Sequence, residues 1–172
     1  MTQRIFGVAG WKNSGKTTLV ERLVAEFSER GFAVATVKHA HHSFDIDHEG
    51  TDSFRHRAAG AREVAIVSGR RWALVHEIAE TEHEPDLEEI LARLSPADLV
   101  IVEGYKRDLH KKIEVRRREA RDRTPLSPGD PTIVAIAADY AVEDEGLPVF
   151  DLDDISTIAD FVAGVCGLEA ST

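Results

Sequence analysis

The first forty residues alternate between apolar runs and a segment of helical period. Arg4–Ala9 is a short apolar run and reads as a buried strand. From Lys16 to Arg30, apolar residues recur at Leu19, Val20, Leu23, Val24 and Phe27, the spacing of one helix face, and Gly31 supplies the C-terminal stop. Ala33–Lys38 is apolar again. Strand, helix and strand in close succession predict a βαβ unit with parallel strands and a right-handed crossover.

The pattern continues beyond a polar loop. Thr51–Ala61 is helical in pattern, with Gly60 as its end. Val64–Ser68 and Trp72–Ile78 flank Gly-Arg-Arg and predict a hairpin. Asp86–Leu94 places Leu87, Ile90, Leu91 and Leu94 on one helix face, with Pro85 near its start. Asp98–Gly104 (DLVIVEG) is a buried strand ending at Glu103, and Lys111–Arg117 (KKIEVRR) alternates, which predicts a half-buried strand at an edge. Thr124–Pro131 holds three prolines and reads as a loop. Thr132–Asp139 is another buried strand and Pro148–Leu152 a short one, after which Asp153 or Asp154 caps a last helix bearing Ile155, Ile158, Ala159, Val162 and Val165. With no repeat and no linker, the expectation is a single domain over residues 1–172: a three-layer α/β fold, its sheet mostly parallel, with an added β-hairpin.

Composition narrows the setting. The 172 residues suit one domain with its own core. The net charge of −10 argues against a nucleic-acid partner, which needs a basic face. The basic run Lys111–Arg123 is then read as a solvated face. Cys166 is the only cysteine, so no disulfide can form within the chain. No signal peptide and no apolar run of about 20 residues is present, so a cytoplasmic protein without a membrane partner is expected.

The chemistry enters at Gly10–Thr18, GWKNSGKTT, an ungapped match to G-x-x-x-x-G-K-[ST]. Glycines let the backbone close around phosphate oxygens. Successive amides and the helix N-terminus face the anion, Lys16 reaches the terminal phosphates, and the Thr17 hydroxyl holds Mg²⁺. The motif follows a predicted strand and opens a predicted helix, as that mechanism requires, and makes the fold that of a P-loop NTPase. Gly10, Trp11, Lys12, Asn13, Ser14, Gly15, Lys16, Thr17 and Thr18 are the expected nucleotide-binding residues. Such a site also needs an acid at a strand's C-terminal end to order the metal. Glu103 has that position, whereas Asp98 starts the same strand and lies at the wrong end.

The whole pattern resembles one family. GWKNSGKTTL, VKHAHHSFDIDHEGTDS, AAGA, RWAL, LVIVEGYK and VAIAAD occur in the order seen in the MobB family, the molybdopterin-guanine dinucleotide biosynthesis protein B family. The resemblance runs from Ile5 to about Val165. It implies a GTP-binding protein with weak GTPase activity, a homodimer, whose partner is the guanylyltransferase that joins GMP to molybdopterin. It assigns the phosphates to Gly10–Thr18 and Mg²⁺ to Thr17 and Glu103, with Asp52 a third candidate. It gives Lys38, His39, His41, His42, Asp45 and Asp47 to a loop beside the phosphates serving substrate or partner, molybdopterin included; Lys106, just after VEGY, is read either as a further contact to phosphate or pterin or as a solvated lysine. Asp139 ends the VAIAAD strand, where a carboxylate would accept from guanine N1–H and N2–H₂. The N-K-x-D motif of many guanine-specific GTPases is absent, so GTP over ATP rests on the resemblance.

Two other readings stand beside this one. His39, His41, His42 and His48 with Asp45, Asp47, Glu49 and Asp52 are also what a metallochaperone-type GTPase with a metal-binding loop would carry. A small-molecule kinase would instead use Asp45 or Asp52 as base. No Gln or Arg has an assignable role in ordering a water, so GTP hydrolysis is expected to be slow. The hairpin has an exposed-edge composition and is the expected dimer contact.

Overall fold

The computed structural model describes residues 3–40, 46–143 and 146–169. By contacts these fall into two compact units, residues 1–39 with 87–172, and residues 40–86.

The larger unit is built on a six-stranded, all-parallel sheet. Its strands are β1 (Ile5–Ala9), β2 (Val34–Lys38), β5 (Leu99–Glu103), β6 (Lys112–Arg116), β7 (Ile133–Ala138) and β8 (Val149–Asp151), in the spatial order β2-β5-β1-β6-β7-β8. The period-2 geometry of strands sorts their apolar residues onto two faces. Phe6, Val8, Leu99, Ile101, Ile113, Val115, Ala135 and Ala137 pack beneath α1 (Lys16–Glu29) and α4 (Ile155–Cys166), which supply Leu19, Leu23, Phe27, Ile158 and Val162. Val37, Val100 and Val102 face the other way and meet Leu87 and Leu91 of α3 (Leu87–Leu91). Helices on both faces of a parallel sheet give the expected three layers. The ends are as read from sequence: Gly31 follows α1 at φ +88°, and Asp154 caps α4 by accepting from Thr157 N–H at 3.2 Å.

One strand differs from its expectation. β6 is neither half-buried nor at an edge: it lies between β1 and β7, and all five of its residues are buried. The edge strands are β2 and β8. The alternation K-I-E-V-R arises because Ile113 and Val115 join the helix-side core while the polar residues are buried and paired. Glu114 accepts from the backbone N–H of Leu126 (2.9 Å) and Ser127 (3.0 Å) and from Arg116 (2.8 Å). Lys112 donates to Thr132 Oγ1 (2.6 Å), to His110 O (3.2 Å) and to Asp108 O. This part of the basic run is therefore not a solvated face: a buried charge is tolerable when it is paired and hydrogen-bonded.

The smaller unit contains α2 (Asp52–Ala58) and the hairpin of β3 (Glu63–Val67) and β4 (Trp72–His76). Thr51 caps α2, accepting from Phe54 N–H at 3.3 Å. Arg57 ties the unit together, donating to Asp47 (3.2 Å) and Glu77 (2.7 Å). The cross-strand pairs Ala65–Leu74 and Val67–Trp72 put apolar side chains on one hairpin face, where Val67 and Trp72 are 75% and 67% exposed. Among the described residues no helix is long and apolar enough to cross a membrane.

Candidate nucleotide site

The site forms where β1 gives way to α1. Gly10 makes the first tight approach at φ +154°; a Cβ there would lie 2.4 Å from Ser14 Oγ and 2.8 Å from the Val115 carbonyl oxygen. Gly15 (φ +92°) is the residue before α1, and Asn13 also takes a positive φ of +63°. The backbone therefore curls back on itself and leaves the first amides of α1 pointing out of the helix end, the arrangement that receives phosphate. Ser14 Oγ is buried inside the turn and has no hydrogen-bond partner among the described residues. Lys16 starts the helix and its ammonium donates to Trp11 O at 2.7 Å. Burial pushes its pKa below the ordinary lysine value, and the nearby Lys106 and Lys38 ammonium groups push the same way against Glu103. Lys12, in contrast, is exposed.

Sheet order brings the remaining groups together. β5 lies between β1 and β2, and its register sets Glu103 opposite both Val8 and Lys38. Lys38, Glu103 and the phosphate loop thus sit side by side at the strands' carboxyl ends, where open α/β sheets bind ligands. Thr17 Oγ1 donates to Glu103 Oε1 at 3.0 Å, and Lys38 Nζ lies 3.4 Å from the same oxygen. A hydroxyl and a carboxylate so placed are hard oxygen donors that fit Mg²⁺ beside substrate phosphates. His39 follows β2, donates its backbone N–H to Glu103 O (2.9 Å) and sets its ring, tilted by 47°, with its centroid 4.8 Å from that of Tyr105, whose φ is +47°. Lys106 then lies over the Trp11 ring, 4.3 Å from its centroid, while the indole N–H donates to Thr124 O at 2.7 Å.

Asp139 directly follows β7, and its carboxylate is already engaged. Oδ1 accepts from Arg118 N–H at 2.7 Å, and Oδ2 faces Arg117 Nε at 3.6 Å. Arg117 also packs on Gly15 and helps line a cleft with Thr18, Arg22, Leu152 and Asp153. Arg22 fixes that wall by donating to Asp153 Oδ1 (2.9 Å) and to the carbonyls of Leu152 and Asp153. Sequence reasoning missed Arg22, Arg117 and Asp153. A signal existed for two of them: Arg22 is one helical turn beyond Thr18, and Arg117 directly follows β6 at the strands' carboxyl ends.

Asp47 and Asp52 belong to the smaller unit. Asp47 is buried and accepts from Ser53 Oγ (2.8 Å) and Arg57. Asp52 is exposed in the first turn of α2, 3.7 Å from Arg55. His41, His42 and Asp45 lie outside the described residues. Among the described residues no three His, Cys, Asp or Glu side chains converge as a metal site.

Comparison with known proteins agrees with this geometry. Residues 5–139 match the family described as Molybdopterin guanine dinucleotide synthesis protein B, MobB. The chain is 35% identical over 160 residues to the molybdopterin-guanine dinucleotide biosynthesis adapter protein of Escherichia coli, covering 92% of this chain and 90% of that one. It is 32% identical to a probable adapter protein of the same name from Bacillus subtilis, over 92% of this chain and 90% of the relative. The crystal structure of Bacillus subtilis MobB superimposes with a TM-score of 0.76 at 28% identity, over 96% of this chain and 99% of that one. The phosphate loop, the acid at the end of β5 and these similarities converge: the chain belongs to the MobB family.

Proposed function

We propose that this chain is a GTP-binding adapter in molybdopterin guanine dinucleotide biosynthesis. Family membership supplies the pathway. The observation that supports the nucleotide is the contact of Thr17 Oγ1 with Glu103 Oε1 at 3.0 Å, at the mouth of a loop whose lysine is Lys16. In this reading Gly10–Thr18 wrap the phosphates, Lys16 meets their terminal oxygens, and Thr17 and Glu103 hold Mg²⁺. Bound there, Mg²⁺ would neutralise charge on the terminal phosphates. Asp139 Oδ2 accepts from the guanine edge, with Arg117 beside it. Lys38, His39 and Lys106 edge the phosphate end and serve molybdopterin or the partner. The loop residues His41, His42, Asp45, Asp47 and Asp52 are assigned to substrate or partner by the family resemblance alone. The partner is the guanylyltransferase that joins GMP to molybdopterin, the setting is the cytoplasm, and the working form is a homodimer joined through the hairpin.

Slow turnover is part of this reading, because the sequence offers no Gln or Arg with an assignable role in ordering a water, and the protein then acts through binding. Isothermal titration with GTP, GDP and ATP, with and without Mg²⁺, tests the reading on wild type and Lys16→Ala. Tighter binding of GTP than ATP, lost in the variant, is expected; equal affinity for the two would remove the guanine assignment. Adding the protein to a guanylyltransferase assay at limiting GTP should raise product yield, and an unchanged yield would remove the adapter role.

A further inference from the structure

The two oxygens suited to a divalent cation already share a cation of the chain itself. Lys38 Nζ lies 3.4 Å from Glu103 Oε1 and 3.5 Å from Thr17 Oγ1, and those oxygens are 3.0 Å from one another. The backbone sets where all three side chains start. Lys38 and Glu103 are register partners at the ends of β2 and β5, and Thr17 is the second residue of α1. Glu103 is only 8% exposed, so its carboxylate requires a positive partner, whereas the Lys38 side chain is 59% exposed and free to swing outward. A divalent ion on Thr17 and Glu103 would sit within a few ångströms of the ammonium, and two cations that close repel strongly.

We propose that Lys38 is a built-in competitor of the divalent cation. Its ammonium serves Glu103 and the adjoining phosphates, so a guanine nucleotide binds without metal at little loss of affinity, and metal enters only by displacing Lys38. Lys38 is thus a positioning residue that sets how far nucleotide binding depends on Mg²⁺. The inference rests on the nucleotide reading above and deepens it.

The test is titration of GDP into wild type, Lys38→Ala and Lys38→Met, each in Mg²⁺ and in EDTA. Lys38 is exposed at the end of an edge strand, so both variants are expected to fold, which circular dichroism verifies. Wild type should bind almost equally in the two buffers. Both variants should lose about tenfold in EDTA while keeping their affinity in Mg²⁺, and should reach half-saturation at about tenfold less Mg²⁺. A fall by the same factor in both buffers would make Lys38 an ordinary phosphate contact and overturn the proposal, as would no change in either. Wild type that binds neither GDP nor GTP in either buffer would overturn the nucleotide reading itself, and this inference with it.

Discussion

Lys106 caps the indole of Trp11 at 4.3 Å, joining the loop after β5 to the phosphate loop. The same indole is pinned from the side by its N–H bond to Thr124 O, 2.7 Å long. Trp11 therefore braces the turn between two other loops, and an aromatic ring with a satisfied N–H is suited to that role. Trp11→Ala is expected to cost about 1–2 kcal/mol of stability, while Lys106→Ala, which removes only the cation–π contact, should cost less than about 1 kcal/mol. Urea denaturation of both variants checks this. Equal losses would show that the ammonium, not the ring, holds the loop.

Gly10→Ala tests the tightness of the turn. The added methyl would meet Ser14 Oγ at 2.4 Å and the backbone oxygen of Val115 at 2.8 Å, at a φ that L side chains rarely adopt. Ser14 can rotate but the Val115 carbonyl belongs to the central strand β6. A loss of about 2 kcal/mol or more is expected, together with loss of nucleotide binding. Thermal unfolding and titration with GDP measure the two effects separately, and a variant that melts like wild type would contradict the close packing.

The buried polar row of β6 shows where the sequence was readable and where it was not. The tight turn of Gly10–Thr18 and the place of Glu103 at the end of β5 were legible because their signals are local: nine contiguous residues in one case, a strand end in the other. Lys112, Glu114 and Arg116 were misread because alternation with Ile113 and Val115 looks the same in a half-wet edge strand and in a central strand with a buried ionic face. Their partners, among them Leu126, Ser127 and Thr132, come from a proline-containing loop whose fold no periodicity reports. Arg22 and Asp153 are 131 residues apart and meet only because β8 follows β7 in the sheet and α4 packs beside α1. Helix ends were legible through Gly31 and Asp154, each a residue type chosen by local geometry.

Glu114→Ala should expose the cost of that buried row. The change strips two backbone N–H groups and the Arg116 guanidinium of their acceptor, in a place where Glu114 is 1% exposed. Removing one partner from a buried ionic pair costs up to about 3–5 kcal/mol, and Arg116 keeps its bond to Ser127 Oγ at 3.0 Å. Chemical denaturation is expected to show a loss of that order, and a loss under about 1 kcal/mol would mean that water reaches the network.

Trp72→Asp addresses the hairpin as the dimer contact. Val67 and Trp72 are a cross-strand pair, both largely exposed, with Leu74 on the same face. An exposed apolar face on a two-stranded sheet is a natural place for a second copy to cover. Sedimentation equilibrium should give a dimer for the wild type and a monomer for Trp72→Asp, with the far-ultraviolet circular dichroism unchanged. A variant that stays dimeric would move the interface elsewhere.

His110 gives the fold a pH dependence whose sign is fixed. Its ring packs on Gly7, and among the described residues neither ring nitrogen has a hydrogen-bond partner. Burial lowers its pKa from 6.5 to about 4, with Lys112 adding to the shift and Asp130 opposing it. Between those values the unfolded chain binds a proton that the folded one does not, so stability rises with pH across this window and falls as the pH drops through it. Above about pH 6.5 both states are neutral and the full contribution is present. A shift of this size converts at about 1.4 kcal/mol per unit, and with discount for partial solvent screening about 1–2 kcal/mol remains. Wild type should therefore lose that much more stability than His110→Gln between pH 7 and pH 4.5, measured by urea denaturation at each pH. If the two proteins lose stability in parallel, the ring is accepting its proton in the folded state and lies in a wetter place than its packing against Gly7 implies.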